Sequence, residues 1–116
     1  MIKGQTTAHV RHLQDSVYVL DISGEVSGFS EPVLMEAYTQ ATSAGAQTLI
    51  LNFAEMTYMN SSGIGLLVTL LVRANRQQQR LIAVGLNVHY QQIFMMTRLS
   101  ESFHIMADEA QALQGI

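Results

Sequence analysis

Apolar positions along the chain fall into two kinds of run that alternate. Short, nearly unbroken runs rich in β-branched and aromatic residues read as strands, and longer stretches between polar caps read as helices. Val17-Tyr18-Val19-Leu20-Asp21-Ile22 is the first clear strand, and Gly24 is expected to end it. Ala8 to Leu13 precedes it as a hairpin partner, with the turn at Gln14-Asp15-Ser16. Ser30-Glu31-Pro32 has the make-up of a helix start: a capping hydroxyl, an acid in the first turn and an early Pro. That helix is expected to reach about Ala44, with Gly45 closing it in a left-handed conformation. Thr48-Leu49-Ile50-Leu51-Asn52-Phe53 is a continuous run bounded by polar residues, which suits a strand covered on both faces in the middle of a sheet. A loop is expected to follow it, and Asn60-Ser61-Ser62 then cap a helix from Gly63 to about Gln77, with Gln77-Gln78-Gln79 as its solvated end. Leu81 to Val84 is another buried strand, ended by Gly85. Val88 to Arg98 reads as the third helix and Phe103 to Met106 as a short last strand. Asp108-Glu109 opens a final helix with its acids at the positive end of the dipole.

The order is therefore β-β-α-β-α-β-α-β-α. Strands alternating with helices imply crossover connections, so the fold class is α/β, with a mixed, mostly parallel sheet and an antiparallel edge from the opening hairpin.

Composition narrows the function. A chain of 116 residues suits one domain, residues 1–116, with no linker or internal repeat dividing it. Hydrophobic residues are 48% and charged residues 13%, which argues for a packed core rather than disorder. The net charge of −3 and only six Lys and Arg offer no basic field to nucleic acid or anionic lipid. The absence of Cys excludes a disulfide framework and a thiolate metal site. Met1 to Val10 is polar and lacks the apolar core of a signal peptide. The longest apolar stretch, Ile64 to Val72, is broken by Gly65 and Thr69 and far shorter than the roughly 20 residues of a membrane span. A soluble, cytoplasmic protein that does not insert into membranes is expected.

The informative chemistry lies in Asn52 to Leu67, where a strand leads to adjacent hydroxyls at the start of an apolar helix. Asn60, Ser61 and Ser62 have a plain reading as capping residues. They also have a second one, because the first N–H groups of a helix lack internal partners and can receive an anion, including a phosphate on the chain itself. Gly63 and Gly65 lower helix propensity, so close approach of a neighbouring strand or of a bound partner is expected to compensate. A dinucleotide fingerprint fails, because its third glycine would fall on Val68. His9, His12, His89 and His104 are scattered, without metal-ligand spacing, and no nucleophile elbow surrounds Ser61. No catalytic residue, metal or cofactor is indicated. Phe94-Met95-Met96 on the third helix reads first as core and second as an adaptable interface.

Tyr58-Met59-Asn60-Ser61-Ser62-Gly63-Ile64-Gly65 resembles the signature loop of the STAS domain, as found in bacterial anti-sigma factor antagonists. The family pattern is an apolar or aromatic pair followed by Asp-Ser-Ser-Gly-aliphatic-Gly. Leu20 to Val26 and Leu49 to Met56 resemble the family's second and central strands, and the order of elements matches along nearly the whole chain. The resemblance implies a binding module, not an enzyme. Its partner would be an anti-sigma factor that is also a serine/threonine kinase, docked on Asn60, Ser61, Ser62, Gly63, Ile64, Gly65 and the helix behind them. Ser61 would be the phosphorylated residue, the unphosphorylated form would bind, and a phosphatase would reset the switch. The chain departs from the pattern at Asn60, where the family usually has Asp. The resemblance also accommodates a regulator outside sigma-factor control, acting on a phosphatase, a cyclase or a signalling complex, or the soluble subunit of a lipid-transport complex. A small hydrolase using Ser61 is a further alternative, without motif support.

Overall fold

A computed structural model describes residues 5–116. The expectation for Met1 to Val10 therefore lies partly outside the described residues. Within them the elements follow the predicted order: β1 (Thr7–Gln14), β2 (Val17–Val26), α1 (Glu31–Ser43), β3 (Thr48–Met59), α2 (Ser61–Arg76), β4 (Arg80–Val84), α3 (Val88–Met96), β5 (Phe103–Met106) and α4 (Glu109–Gln114). The sheet order is β1-β2-β3-β4-β5, antiparallel between β1 and β2 and parallel elsewhere.

Side chains alternate across a strand, so each central strand feeds two apolar layers. Leu49, Leu51 and Phe53 of β3 point to the layer under α1, α2 and α3, where Leu34, Leu67, Leu70 and Phe94 are buried. Ile50, with Val19, Ile82 and Val84, points the other way and is covered by Ala112 and Leu113 of α4. This explains the unbroken apolar run of β3. Each fully buried Leu, Ile or Phe contributes about 1.5–3 kcal/mol.

The sequence reading needs correction at several points. Gly24 does not end β2. It sits inside the strand at φ +85°, between two shifts in register with β3, where a Cβ would fall on the backbone of Gln5. The glycine makes a bulge, and the strand continues to Val26. β3 likewise does not give way to a loop after Phe53. It continues to Met59, because the lengthened β2 stays paired with it through Ser23↔Glu55, Gly24↔Met56, Glu25↔Tyr58 and Val26↔Met59. Ser30 does not cap α1 through its side chain. Ser27 instead caps a single 3₁₀ turn, Gly28–Ser30, and the buried Ser30 hydroxyl is bonded to the Ser27 N–H, at 2.9 Å, and to Thr6. α3 stops at Met96, two residues early, because Arg98 takes a left-handed conformation.

Gln79 is not part of a solvated end. It is buried, accepts from the Tyr38 hydroxyl at 2.7 Å and donates to Thr42 and the Ala46 carbonyl at 2.9 and 3.0 Å. Gly45 has the positive φ expected of it. No helix among the described residues is long and apolar enough to cross a membrane.

Candidate functional site

β2 and β3 outrun β4, whose pairing with β3 ends at Asn52↔Val84. Their extensions form a two-stranded arm that carries the chain to the start of α2. There the Asn60 N–H donates to the Val26 carbonyl at 3.2 Å, and the Asn60 side-chain oxygen accepts from the Gly63 N–H at 2.9 Å. Asn60 is extended, at φ −94° and ψ 179°, as an N-cap must be. It alone of the three predicted capping residues is the cap. Ser61 and Ser62 are the first residues of the helix and both are exposed.

Gly63 and Gly65 separate. Gly63 is buried, and a Cβ on it would fall on the Val26 carbonyl and lie 2.9 Å from Met59 Cγ. The helix start is therefore pressed onto the arm, as the close-approach reading expected. Gly65 is exposed, with nothing within 4 Å of where a Cβ would be, so no neighbour among the described residues accounts for it. Ile64 is half-buried against the main core.

Sequence reasoning missed the apolar surface that continues from this point. Ser61, Gly65, Val68 and Val72 follow helical spacing on one exposed face, and the two valines are 43% and 44% exposed. Their i+7 and i+11 spacing from Ser61 was the signal available. Phe29 was also missed. It is 97% exposed, whereas Phe53, Phe94 and Phe103 are buried. It lies on the 3₁₀ turn against the start of α2, where a Cβ on Gly28 would touch Ser62 Cβ at 3.4 Å. Phe94 is core as expected, in contact with Phe53 and Phe103, while Met95 and Met96 are exposed.

Charge is unevenly spread. Residues 12–72 hold Asp15, Asp21, Glu25, Glu31, Glu36 and Glu55 and no Lys or Arg, and Glu25, Glu31 and Glu55 are exposed. The basic residues Arg73 and Arg76 begin only at the far end of α2.

The opposite sheet face has the strongest ionic cluster. Arg11 pairs with both Asp21 and Glu109, and Asn52 donates to Asp21 at 2.9 Å. Arg11 is held above its ordinary pKa, first by Asp21 and then by Glu109, and Asp21 below its own, chiefly by the hydrogen bond from Arg11. A cavity of about 360 Å³ lies nearby, lined by Asn52, Gly85, Asp108 and Glu109 among others. Its polar groups are already engaged, since Asn52 and Glu109 belong to the cluster and Asp108 caps the Gln111 N–H at 2.9 Å. It does not reach Ser61. Among the described residues no group of three or more His, Asp or Glu side chains is placed to hold a metal ion.

The comparisons with known proteins agree with this architecture. An anti-sigma-B factor antagonist of Staphylococcus aureus is 28% identical over 92 residues, covering 79% of this chain and 85% of that protein. A crystal structure of an anti-sigma factor antagonist from Mycobacterium paratuberculosis superposes with TM-score 0.81 at 18% identity, covering 97% and 95% of the two chains. Bacillus SpoIIAA in its phosphorylated form gives TM-score 0.72 at 19% identity, covering 93% and 97%. At these identities the structures establish the fold alone. The STAS domain family model matches residues 10–112, so the chain belongs to the STAS domain family.

Proposed function

We propose that this protein is an anti-sigma factor antagonist. It binds an anti-sigma factor that is also a serine/threonine kinase, and phosphorylation of Ser61 releases it. The observation that carries the reading is the placement of Ser61: exposed, on the first turn of α2, at the head of the Gly65, Val68 and Val72 stripe. The names of its relatives support the role, and a solved relative exists in a phosphorylated form.

Ser61 Oγ would attack the γ-phosphorus of ATP on the partner, the bond to ADP would break, and the hydroxyl proton would pass to a base of the kinase. Asn60 cannot be that base, because its amide is neutral and its oxygen already accepts from Gly63. The phosphate adds about −1.5 to −2 charges. It would lie on an apolar face, in a segment without Lys or Arg to balance it, and its desolvation would weaken the complex. The chain is a substrate and ligand, not an enzyme, and needs no cofactor. A phosphatase restores the binding form.

Incubation with ATP and the cognate kinase, followed by peptide mass spectrometry, tests the assignment. One phosphate on Ser61, absent from Ser61→Ala, is expected. Modification elsewhere, or ATP turnover by the purified chain alone, would overturn it.

A further inference from the structure

Phe29 is nearly fully exposed, yet the turn that carries it is closed by its own hydrogen bonds. The Phe29 N–H donates to Ser27 Oγ at 3.2 Å, the Ser27 N–H to Ser30 Oγ at 2.9 Å, and the Ser30 N–H to the Ser27 carbonyl at 3.0 Å. The Ser30 hydroxyl is in turn buried against Thr6 and the Glu25 carbonyl. A closed set of hydrogen bonds therefore fixes a turn whose one large side chain points into water. An aromatic ring held out on a rigid turn loses little conformational freedom on binding, which is how interface anchors are built.

Resting on the reading of Ser61 as the docking centre, we propose that Phe29 is a second anchor for the same partner. It would insert into an apolar pocket of the anti-sigma factor kinase rimmed by Lys or Arg. Two observations select this occupant. The turn abuts Ser62 through Gly28, the residue before Phe29, so Phe29 lies within reach of a partner seated over Ser61. The exposed acids Glu25 and Glu31 flank Phe29 in sequence, within a run from residue 12 to residue 72 that has no Lys or Arg, so a positive rim on the partner is complementary to it. Phe29 holds the partner in place, and Ser61 carries the switch.

The test measures affinity of the cognate kinase for the parent, Phe29→Ala, Phe29→Leu and Ser61→Glu, with melting temperatures and sedimentation of each. The expected result is a loss of about thirtyfold or more for Phe29→Ala, the size of an interface hot spot, with unchanged melting and partial recovery in Phe29→Leu. Glu31→Gln should slow association and flatten its salt dependence. If Ser61→Glu weakens binding but Phe29→Ala does not, the anchor is wrong and the docking centre stands. If neither weakens it, the reading of Ser61 fails and the anchor with it. A parent dimer that Phe29→Ala dissolves would assign the ring to self-association and overturn the proposal.

Discussion

Two helices of this chain start beyond neighbouring parallel strands, and both start with asparagine. Asn60 accepts from the Gly63 N–H at 2.9 Å and Asn87 from the Tyr90 N–H at 3.0 Å. The two caps are nearly superimposable chemistry, and they lead to different surfaces. In α3 the third helical residue is Tyr90, a buried ring whose hydroxyl accepts from the Met59 N–H at 2.9 Å. In α2 the same position is Gly63, because the Val26 carbonyl occupies the space a side chain would need. α3 begins with Val88 and His89, and α2 with two exposed hydroxyls followed by an exposed apolar stripe. An Asn cap is thus ordinary helix construction. α3 exposes apolar side chains too, Val88, Met95 and Met96, so the functional argument rests on the exposed hydroxyls that α2 has at its start and α3 lacks.

The largest expected effect separates the two glycines of α2. Gly63→Ala should cost about 3 kcal/mol, since the new methyl meets backbone that cannot move aside easily. Gly65→Ala should raise stability by up to about 1 kcal/mol, as at any open helix position. Urea denaturation of both variants decides this, and a Gly63→Ala variant as stable as the parent would remove the close-approach argument.

Next come the caps. Asn60→Ala and Asn87→Ala should each cost about 1 kcal/mol, because each strands one N–H of a helix start. Asn60→Asp and Asn87→Asp should change stability by only a few tenths of a kcal/mol, since Asn and Asp cap about equally well. Only Asn60→Asp should alter Ser61 phosphorylation, by placing one negative charge beside the hydroxyl. Faster phosphate incorporation by the cognate kinase is expected for that variant. A parent already phosphorylated rapidly, with no gain in Asn60→Asp, would make the family's acid dispensable here.

The smallest effect lies on the opposite face and serves as a control. Asp21 has its pKa lowered in the folded state, so its pairing with Arg11 stabilises the fold above the usual carboxylate range and loses that contribution as pH falls through the lowered value. Both side chains are partly exposed and screened, so Asp21→Asn should cost at most about 1 kcal/mol near neutrality. Urea midpoints of parent and variant should converge below about pH 4. Phosphorylation of Ser61 should be unchanged, and a change would mean that the two faces are coupled.

The fold class, the order of elements and, to within two residues, the α2 start were legible because strand runs and caps are local signals. Asn60 and Gly63 were legible for the same reason. The lengths of β2 and β3 were not, because they depend on a bulge at Gly24 and on mutual pairing that no local window contains. Gln79 looked solvated because its partners Tyr38, Thr42 and Ala46 are far away in sequence. Phe29 escaped notice because an aromatic ring in a polar turn reads the same whether it turns inward or out. Met95 and Met96 beside the buried Phe94 show the same limit within one helix turn.

The central claim is that the Ser61 hydroxyl lies inside the partner-binding face. Calorimetric titration of the cognate anti-sigma factor with parent, Ser61→Ala and Ser61→Glu tests it most directly. The account predicts that Ser61→Ala binds within about threefold of the parent, whereas Ser61→Glu binds at least about thirtyfold more weakly, because the partner's basic rim is matched by Glu25 and Glu31 and a further charge buried at the head of the apolar stripe, left unbalanced, costs a few kcal/mol. Equal affinities for the two variants, with both folded, would contradict it.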